Sequence, residues 1–207
     1  MSSKYKFHNP DGCYFVTFAI VGWVDVFTRN VYKDILIESW KYCQQKKGLL
    51  IHAYVIMTNH VHMIISRTSK SLLEDIMRDM KKFTSAKILE AIKTEHESRR
   101  EWMMEIFKEA GEANSNNSVY QFWQQDNHPI ECITPTILKQ KMEYIHENPV
   151  RAGFVERAED WVYSSARDYY ANRKGLIELS YWELLKTQFP FIFSPLGKQA
   201  CQANGME

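Results

Sequence analysis

The sequence predicts an α+β fold, an antiparallel sheet with helices on one face. Three observations predict it. Short runs rich in β-branched and aromatic residues recur along the chain, each of strand length. Stretches with apolar residues at helical spacing lie between them. The two kinds of segment follow the order strand, helix, strand, strand, helix, strand, helix.

Cys13–Gly22 (CYFVTFAIVG) is the first strand. Asn30 can cap a helix running to about Lys46, with Val31, Ile35, Leu36, Trp40 and Cys43 on its apolar side and Gly48 ending it. Leu49–Met57 (LLIHAYVIM) is nearly continuous apolar, as expected of a strand covered on both faces. Thr58-Asn59 marks a turn, and His60–Ser66 (HVHMIIS) pairs back as a hairpin.

Ser71-Leu-Leu-Glu74 fits a capping box, in which each side chain satisfies the other residue's free N–H. The helix it opens reaches about Lys93. Leu73, Met77, Met80 and Phe83 are its expected buried stripe, and Arg78, Lys81, Lys82 and Lys87 lie largely opposite. Thr94–Arg100 is charged and aperiodic, Glu101–Ala110 suits a short helix, and Gly111–Ser118 (GEANSNNS) is a loop by composition. A strand is expected around Tyr120–Gln124, with a further candidate at Ile130–Ile133. Thr134-Pro135 is a sharp helix start, with Pro135 at the first helical position. That helix is expected to end at Asn148-Pro149, because Pro149 lacks the N–H to continue it. Two weaker helical stretches come after it, Trp161–Asn172 and Ser180–Thr187.

The first six elements match the ferredoxin-like (RRM-like) order β-α-β-β-α-β. A tyrosine-bearing helix and a helical C-terminal tail are added to it. The 207 residues are expected to form a single domain: a core over about 10–170, an insertion over about 94–118 and a tail over about 160–207. Such a length leaves no room for a separate helicase. A hydrophobic fraction of 45% supplies a core and excludes a disordered chain. The 26 basic and 25 acidic residues exclude a strongly basic coat protein for nucleic acid, though not a groove with a few placed cations. The apolar runs are too short for a membrane span, no hydrophobic leader follows the N-terminus, and Cys13, Cys43, Cys132 and Cys201 form no C-x-x-C pair. Reduced thiols in a cytoplasmic protein are expected.

Two constellations carry chemistry. In His60-Val61-His62 the histidines are i and i+2 on a strand, so both imidazoles project from one face. Neutral imidazoles side by side are a natural pair of metal ligands, although two are too few for a tight site and H-x-H by itself more often marks ordinary surface histidines. In Tyr144-Ile-His-Glu-Asn148-Pro149, Tyr144 and Asn148 are i and i+4 and share a helix face, with Lys141 one turn earlier. A phenol, an amide and an ammonium on one face suit a phosphate. The plainer reading is a half-buried Tyr144 and an Asn148 that caps the helix before Pro149. His146, at i+2, faces away from Tyr144.

Four stretches occur together in the chain: Val55-Ile-Met-Thr-Asn-His-Val-His-Met-Ile-Ile65, Phe122-Trp-Gln124, Tyr144-Ile-His-Glu-Asn-Pro-Val-Arg-Ala-Gly153 and Tyr163-Ser-Ser165. In this combination the sequence closely resembles the single-tyrosine HUH transposases, above all the branch called REP-associated tyrosine transposases, over roughly residues 10–170. The resemblance implies a DNA transposase that cleaves and rejoins single-stranded, hairpin-containing DNA. It implies that His60 and His62 are the two HUH histidines, that Tyr144 is the nucleophile, and that Asn148 is the third metal-binding side chain. It implies Mg²⁺ or Mn²⁺ as cofactor, a 5′-phosphotyrosine intermediate with a free 3′-OH leaving, and no ATP. A free phenol titrates near pH ~10, so the nucleophile needs help in losing its proton.

DNA contacts are expected from local patches: Lys81, Lys82 and Lys87 in one, Lys139, Lys141 and Arg151 in another. For any single lysine a solvated helix face is the commoner case. Tyr120, Phe122 and Trp123 are candidates for base stacking and better candidates for core. The sequence departs from the family in the longer, more charged Thr94–Ser118 connection. It departs again in Gln124-Gln-Asp-Asn-His-Pro129, where relatives carry an arginine and aromatics. Other readings remain: a relaxase or replication initiator, a domesticated hairpin-DNA-binding protein that does not cut, and a generic ferredoxin-like metal-binding protein. A homodimer, with the tyrosine supplied in cis or in trans, is left open.

Overall fold

A computed structural model of the chain describes residues 7–68, 71–114, 119–125, 127–171 and 173–180. The expected helix at Ser180–Thr187 and Cys201 lie almost wholly outside them.

β1 (Tyr14–Ala19) is the centre of the architecture. It pairs antiparallel with β3 (His60–Arg67) on one side and with the two-residue β4 (Ile130–Glu131) on the other. β2 (Leu49–Ile56) pairs antiparallel with β3, giving the order β2-β3-β1-β4. This is the ferredoxin-like order the sequence predicts. Period-2 alternation sorts the side chains between two faces. Val16, Met63 and Tyr54 lie on one, where Tyr54 meets Trp40 of α1 (Asn30–Tyr42) with ring centroids 5.4 Å apart. α2 (Leu73–Thr94) packs beside α1. Phe15, Thr17, His60 and His62 lie on the other face, beneath α4 (Pro135–Arg151).

Large aromatics fill the helical side. Trp40, Tyr32, Phe18, Phe27 and Phe122 are all buried. Truncating one of them to alanine would cost on the order of 3–5 kcal/mol. α1 passes into a single π-turn at Cys43–Lys47 and stops at Gly48, whose φ of 72° is left-handed, as the sequence predicts. The thiols of Cys13, Cys43 and Cys132 are buried and free. Among the described residues no helix is long and apolar enough to cross a membrane.

Four local expectations fail. The capping box does not form: α2 begins at Leu73 with Leu72 at the cap position and no side-chain cap bond. The Ser71 carbonyl instead accepts from Arg67 Nη1 at 3.1 Å. Phe83 is exposed, because the buried stripe passes through Met80, Thr84 and Ile88. Residues 120–124 form no strand. β1 has already turned into a 3₁₀ segment at Val21–Trp23, so only the Ile20–Trp123 bridge survives and β4 takes the edge position. The predicted Trp161–Asn172 helix shrinks to α5 (Ala166–Tyr170), since Tyr163–Ser165 is spent covering the open edge of β2, with Ile56 N–H donating to Tyr163 O and Ser165 N–H to Tyr54 O.

α4 also runs through Pro149 to Arg151 rather than ending before it. Pro149 removes one hydrogen bond in the last turn, and the stop is set further on. Gly153, at φ 74°, donates to Val150 O and Phe154 N–H reaches back to Pro149 O. That is a Schellman ending built on a left-handed glycine. The consequence for the site is direct: Asn148 is inside the helix and does not serve as its cap.

The Thr94–Ser118 insertion contains α3 (Arg100–Glu112), close to the predicted helix. Its lead-in is fastened to the core by Glu97, a buried carboxylate that accepts from Tyr32 Oη at 3.1 Å and pairs with Arg29 and Arg99. Arg99 in turn pairs with Asp25 at 2.6 Å.

Candidate metal and nucleophile site

β3 alternates His60, Val61, His62, Met63, and the two histidines leave the same face with ring centroids 4.7 Å apart. Each ring has one nitrogen committed. His60 Nδ1 lies 2.6 Å from Asn59 Oδ1. The orientation of that amide is fixed because Asn59 Nδ2 donates to Trp23 O at 3.2 Å. Oδ1 is only an acceptor, so His60 Nδ1 carries the hydrogen and Nε2 keeps a bare lone pair. His62 Nδ1 lies 2.7 Å from Thr17 Oγ1 on β1. Its Nε2 is buried and has no hydrogen-bond partner among the described residues.

Burial pushes His60 down to about 4. His62 is pushed down to about 3, first by burial and then by the charges of His60 and Lys141. Both rings are therefore neutral at neutral pH, the state a metal ligand requires. A buried ring nitrogen without a partner costs about 1–3 kcal/mol unless something takes its lone pair. The pair fits a divalent ion, with the second nitrogen of each ring held by an outer partner, the usual device for fixing tautomer and orientation. The described residues contain no group of three His, Cys, Asp or Glu side chains able to hold a metal, so a third donor from this set has to be of another kind. Asn148 offers an amide oxygen.

α4 carries the other half of the site. Its buried stripe is Leu138, Met142, Ile145, His146 and Pro149. Tyr144 sits at the border, 38% exposed. Its ring stands edge-on to His62, centroids 5.0 Å apart, and to Phe15 at 5.9 Å. Lys141 Nζ lies over the Phe15 ring at 4.8 Å. Asn148 is half-buried one turn beyond Tyr144, and Arg151 is exposed at the helix end. The tyrosine and the histidines thus meet within one chain.

His146 faces away from Tyr144, as helical spacing predicts. It is wholly buried, with Nε2 2.8 Å from Ser165 Oγ and Nδ1 3.0 Å from Tyr170 Oη. Ser165 Oγ also accepts from Tyr54 N–H at 2.9 Å. One hydroxyl therefore ties α4 to β2 and fixes the height of the tyrosine helix over the sheet.

The α2 lysines do not form one patch. Lys81 Nζ donates to Gln124 O at 2.7 Å and Asn127 Oδ1 at 2.9 Å, so it is engaged with those two residues. Lys87 pairs with Glu90 at 2.9 Å, Lys139 pairs with Glu143 at 3.8 Å, and Lys82 is exposed. Phe122 and Trp123 are core residues, with Trp123 Nε1 donating to Thr84 Oγ1 at 3.1 Å. Lys93 Nζ covers the Tyr120 ring at 4.5 Å.

Thr17, Asn59, Phe15 and Trp23 are the site residues that sequence reasoning passed over. Asn59 precedes the H-x-H directly and was legible in principle. Thr17 and Phe15 reach the site through strand register, which no local pattern encodes.

A family model described as "Transposase IS200 like" matches residues 17–124, just over half of the chain. Among solved structures, one of a REP-associated tyrosine transposase bound to a REP hairpin is similar with a TM-score of 0.60. It is 17% identical and covers 88% of this chain and 98% of that one. At that identity the likeness is one of fold. A crystal structure of a transposase-like protein from Deinococcus radiodurans is 21% identical over 46% of this chain and 75% of that one, with a TM-score of 0.34, too low to bear on the fold. None of the curated proteins matches.

Proposed function

The chain belongs to the IS200-like transposase family, and on that premise we propose that it cleaves and rejoins single-stranded DNA beside a hairpin through a 5′-phosphotyrosine on Tyr144. The observation that carries this reading is the Tyr144 ring 5.0 Å from the ring of His62, whose buried Nε2 has no partner among the described residues. The hairpin held by the REP-associated relative supports the substrate class.

His60, His62 and Asn148 would hold the divalent ion, Mg²⁺ or Mn²⁺. When bound, the ion would draw negative charge from the oxygens of the scissile phosphate. The chain's own residues do the rest. Tyr144 Oη attacks phosphorus, an O–P bond forms, and the bond to the 3′-oxygen breaks, leaving a 3′-OH. The reverse step, with a 3′-OH from another strand, joins ends without ATP, because the phosphodiester energy is kept in the phosphotyrosine. Phe15 and His62 fix the tyrosine ring from two sides, which limits the attack angle. Lys141 brings positive charge to the same face. One chain supplies both histidines and the tyrosine, which supports cleavage in cis and needs no dimer. Action in the cytoplasm, on the cell's own DNA, accords with this chemistry.

The test is a covalent adduct. Incubation with a hairpin-bearing single strand and Mn²⁺ is expected to yield a protein–DNA band on a denaturing gel, absent in Tyr144→Phe and in His62→Ala. Tight hairpin binding with no adduct on any substrate would favour a protein that recognises hairpins without cutting them.

A further inference from the structure

We propose that Trp23 is a stacking platform for one unpaired base beside the phosphate held at His60 and His62, a role that rests on the single-stranded DNA reading above. Trp23 is 57% exposed, at the margin of a site where Tyr144 is 38% exposed and the rings of Phe15 and His62 are buried. Its ring meets that of His60 at 6.0 Å with the planes 73° apart, while most of the residue stays open to solvent. Its backbone is strained. Trp23 has φ 56° and comes directly after Gly22 at φ 63°, so two successive left-handed residues turn the chain out of the end of β1. A residue with a Cβ adopts that conformation only where its surroundings impose it, and such positions cluster at ligand sites.

The surroundings impose it here from three directions. Trp23 N–H donates to Ile20 O at 3.1 Å and Val24 N–H to Val21 O at 3.4 Å, closing the turn. Asn59 Nδ2 holds Trp23 O, and the same amide holds His60 Nδ1. The insertion braces the outside: a Cβ at Gly22 would stand 3.1 Å from Ile106 Cγ2 of α3, and Arg99 bonds both Asp25 and Thr28. An exposed indole on a tightly held backbone is thus coupled through one amide to a histidine of the proposed cleavage site. In an unpaired strand every phosphate has a base close by. A flat apolar ring next to a phosphate-binding centre offers that base a stacking surface, and it does so without preference for sequence. The Thr94–Ser118 insertion acquires a purpose in this arrangement, as the brace behind the platform.

The experiment measures the affinity of the full chain for a hairpin with single-stranded flanks, in a Tyr144→Phe background that cannot cut. Flank nucleotides are replaced one at a time by abasic sites. With Trp23 present, one position is expected to weaken binding roughly tenfold when its base is removed. In Trp23→Ala that position is expected to lose its effect while the others keep theirs, and Trp23→Phe restores most of it. A blunt duplex is expected to bind Trp23 and Trp23→Ala proteins alike. Equal abasic penalties with and without Trp23 overturn the platform alone. Failure of the Trp23 protein to bind any hairpin or single strand overturns the functional reading and the platform with it. Circular dichroism of each variant checks that the exposed substitution leaves the fold intact.

Discussion

Thr17 Oγ1 and His62 Nδ1 face each other at 2.7 Å across the β1–β3 pairing, and the other nitrogen of the same ring has no partner among the described residues. Thr17→Val keeps the side-chain shape and removes the hydroxyl. It is expected to weaken Mn²⁺ binding about tenfold or more, as losses of outer partners to metal-bound histidines do. Calorimetric Mn²⁺ titration reads this. Unchanged affinity would show that the pairing does not orient the ring.

Lys141→Met removes the ammonium over Phe15 while keeping an unbranched side chain. Single-stranded DNA binding is expected to weaken severalfold. The slope of log K against log salt should fall by about 0.7, the share of one phosphate contact on a single strand. A variant with an unaltered slope would place Lys141 outside the DNA path.

His146 gives a pH dependence of stability. Burial holds its ring down to about 3 in the folded chain, against about 6.5 in the unfolded one. Above the unfolded value both states are neutral and its hydrogen bonds are fully present. As pH falls below it, the unfolded state takes up a proton that the folded state refuses, so stability is lost down to the folded value. At pH 5 this one ring costs about 2 kcal/mol. His146→Phe is expected to lower stability at pH 7 by about 1–3 kcal/mol, through the bonds to Ser165 and Tyr170. Its proton uptake on unfolding should also be smaller by about one proton at pH 5. Urea titrations at the two pH values decide it.

Glu97 fastens the insertion. Burial alone would raise its carboxyl, but the Arg99 N–H, the Tyr32 hydroxyl and the Arg99 charge outweigh it and hold the group below the usual range. Its contribution is present above the unfolded carboxylate range and is lost as pH falls through the folded value. Glu97→Ala leaves the Tyr32 hydroxyl without its acceptor and takes one partner from the part-exposed Arg29 and Arg99, and is expected to cost about 1–3 kcal/mol at pH 7. Limited proteolysis should then cut first within 95–112. Wild-type protease resistance there would mean that α3 docks by its apolar face alone.

Strands, helices and their order are legible because they rest on short periods, and β1, β2, β3 and α4 appear close to where alternation and helical spacing put them. The pairing of His60 with His62, and of Tyr144 with Lys141 and Asn148, is legible for the same reason. Features that depend on distant partners are not. Ser71 and Glu74 have the chemistry of a capping box, yet the chain arrives from β3 by way of Arg67, which takes the Ser71 carbonyl. Pro149 stops a helix by local rule, but a left-handed Gly153 downstream offers a better ending. Tyr120–Gln124 has strand composition and lacks a strand to pair with, since β1 has already turned away at Val21. Thr17 becomes a site residue only once β1 and β3 are in register.

That register has a further consequence. Thr17 stands opposite His62, and Ala19 opposite His60. A slip of one residue in β3 would swing both imidazoles through the sheet into the aromatic layer under α1 and α2 and bring Val61 and Met63 beneath Tyr144. No intermediate register leaves the two rings half-formed, because the alternation admits only odd and even. On the proposed chemistry, an ion taken up at the two histidines would favour the registers that keep both imidazoles on the Tyr144 side of the sheet.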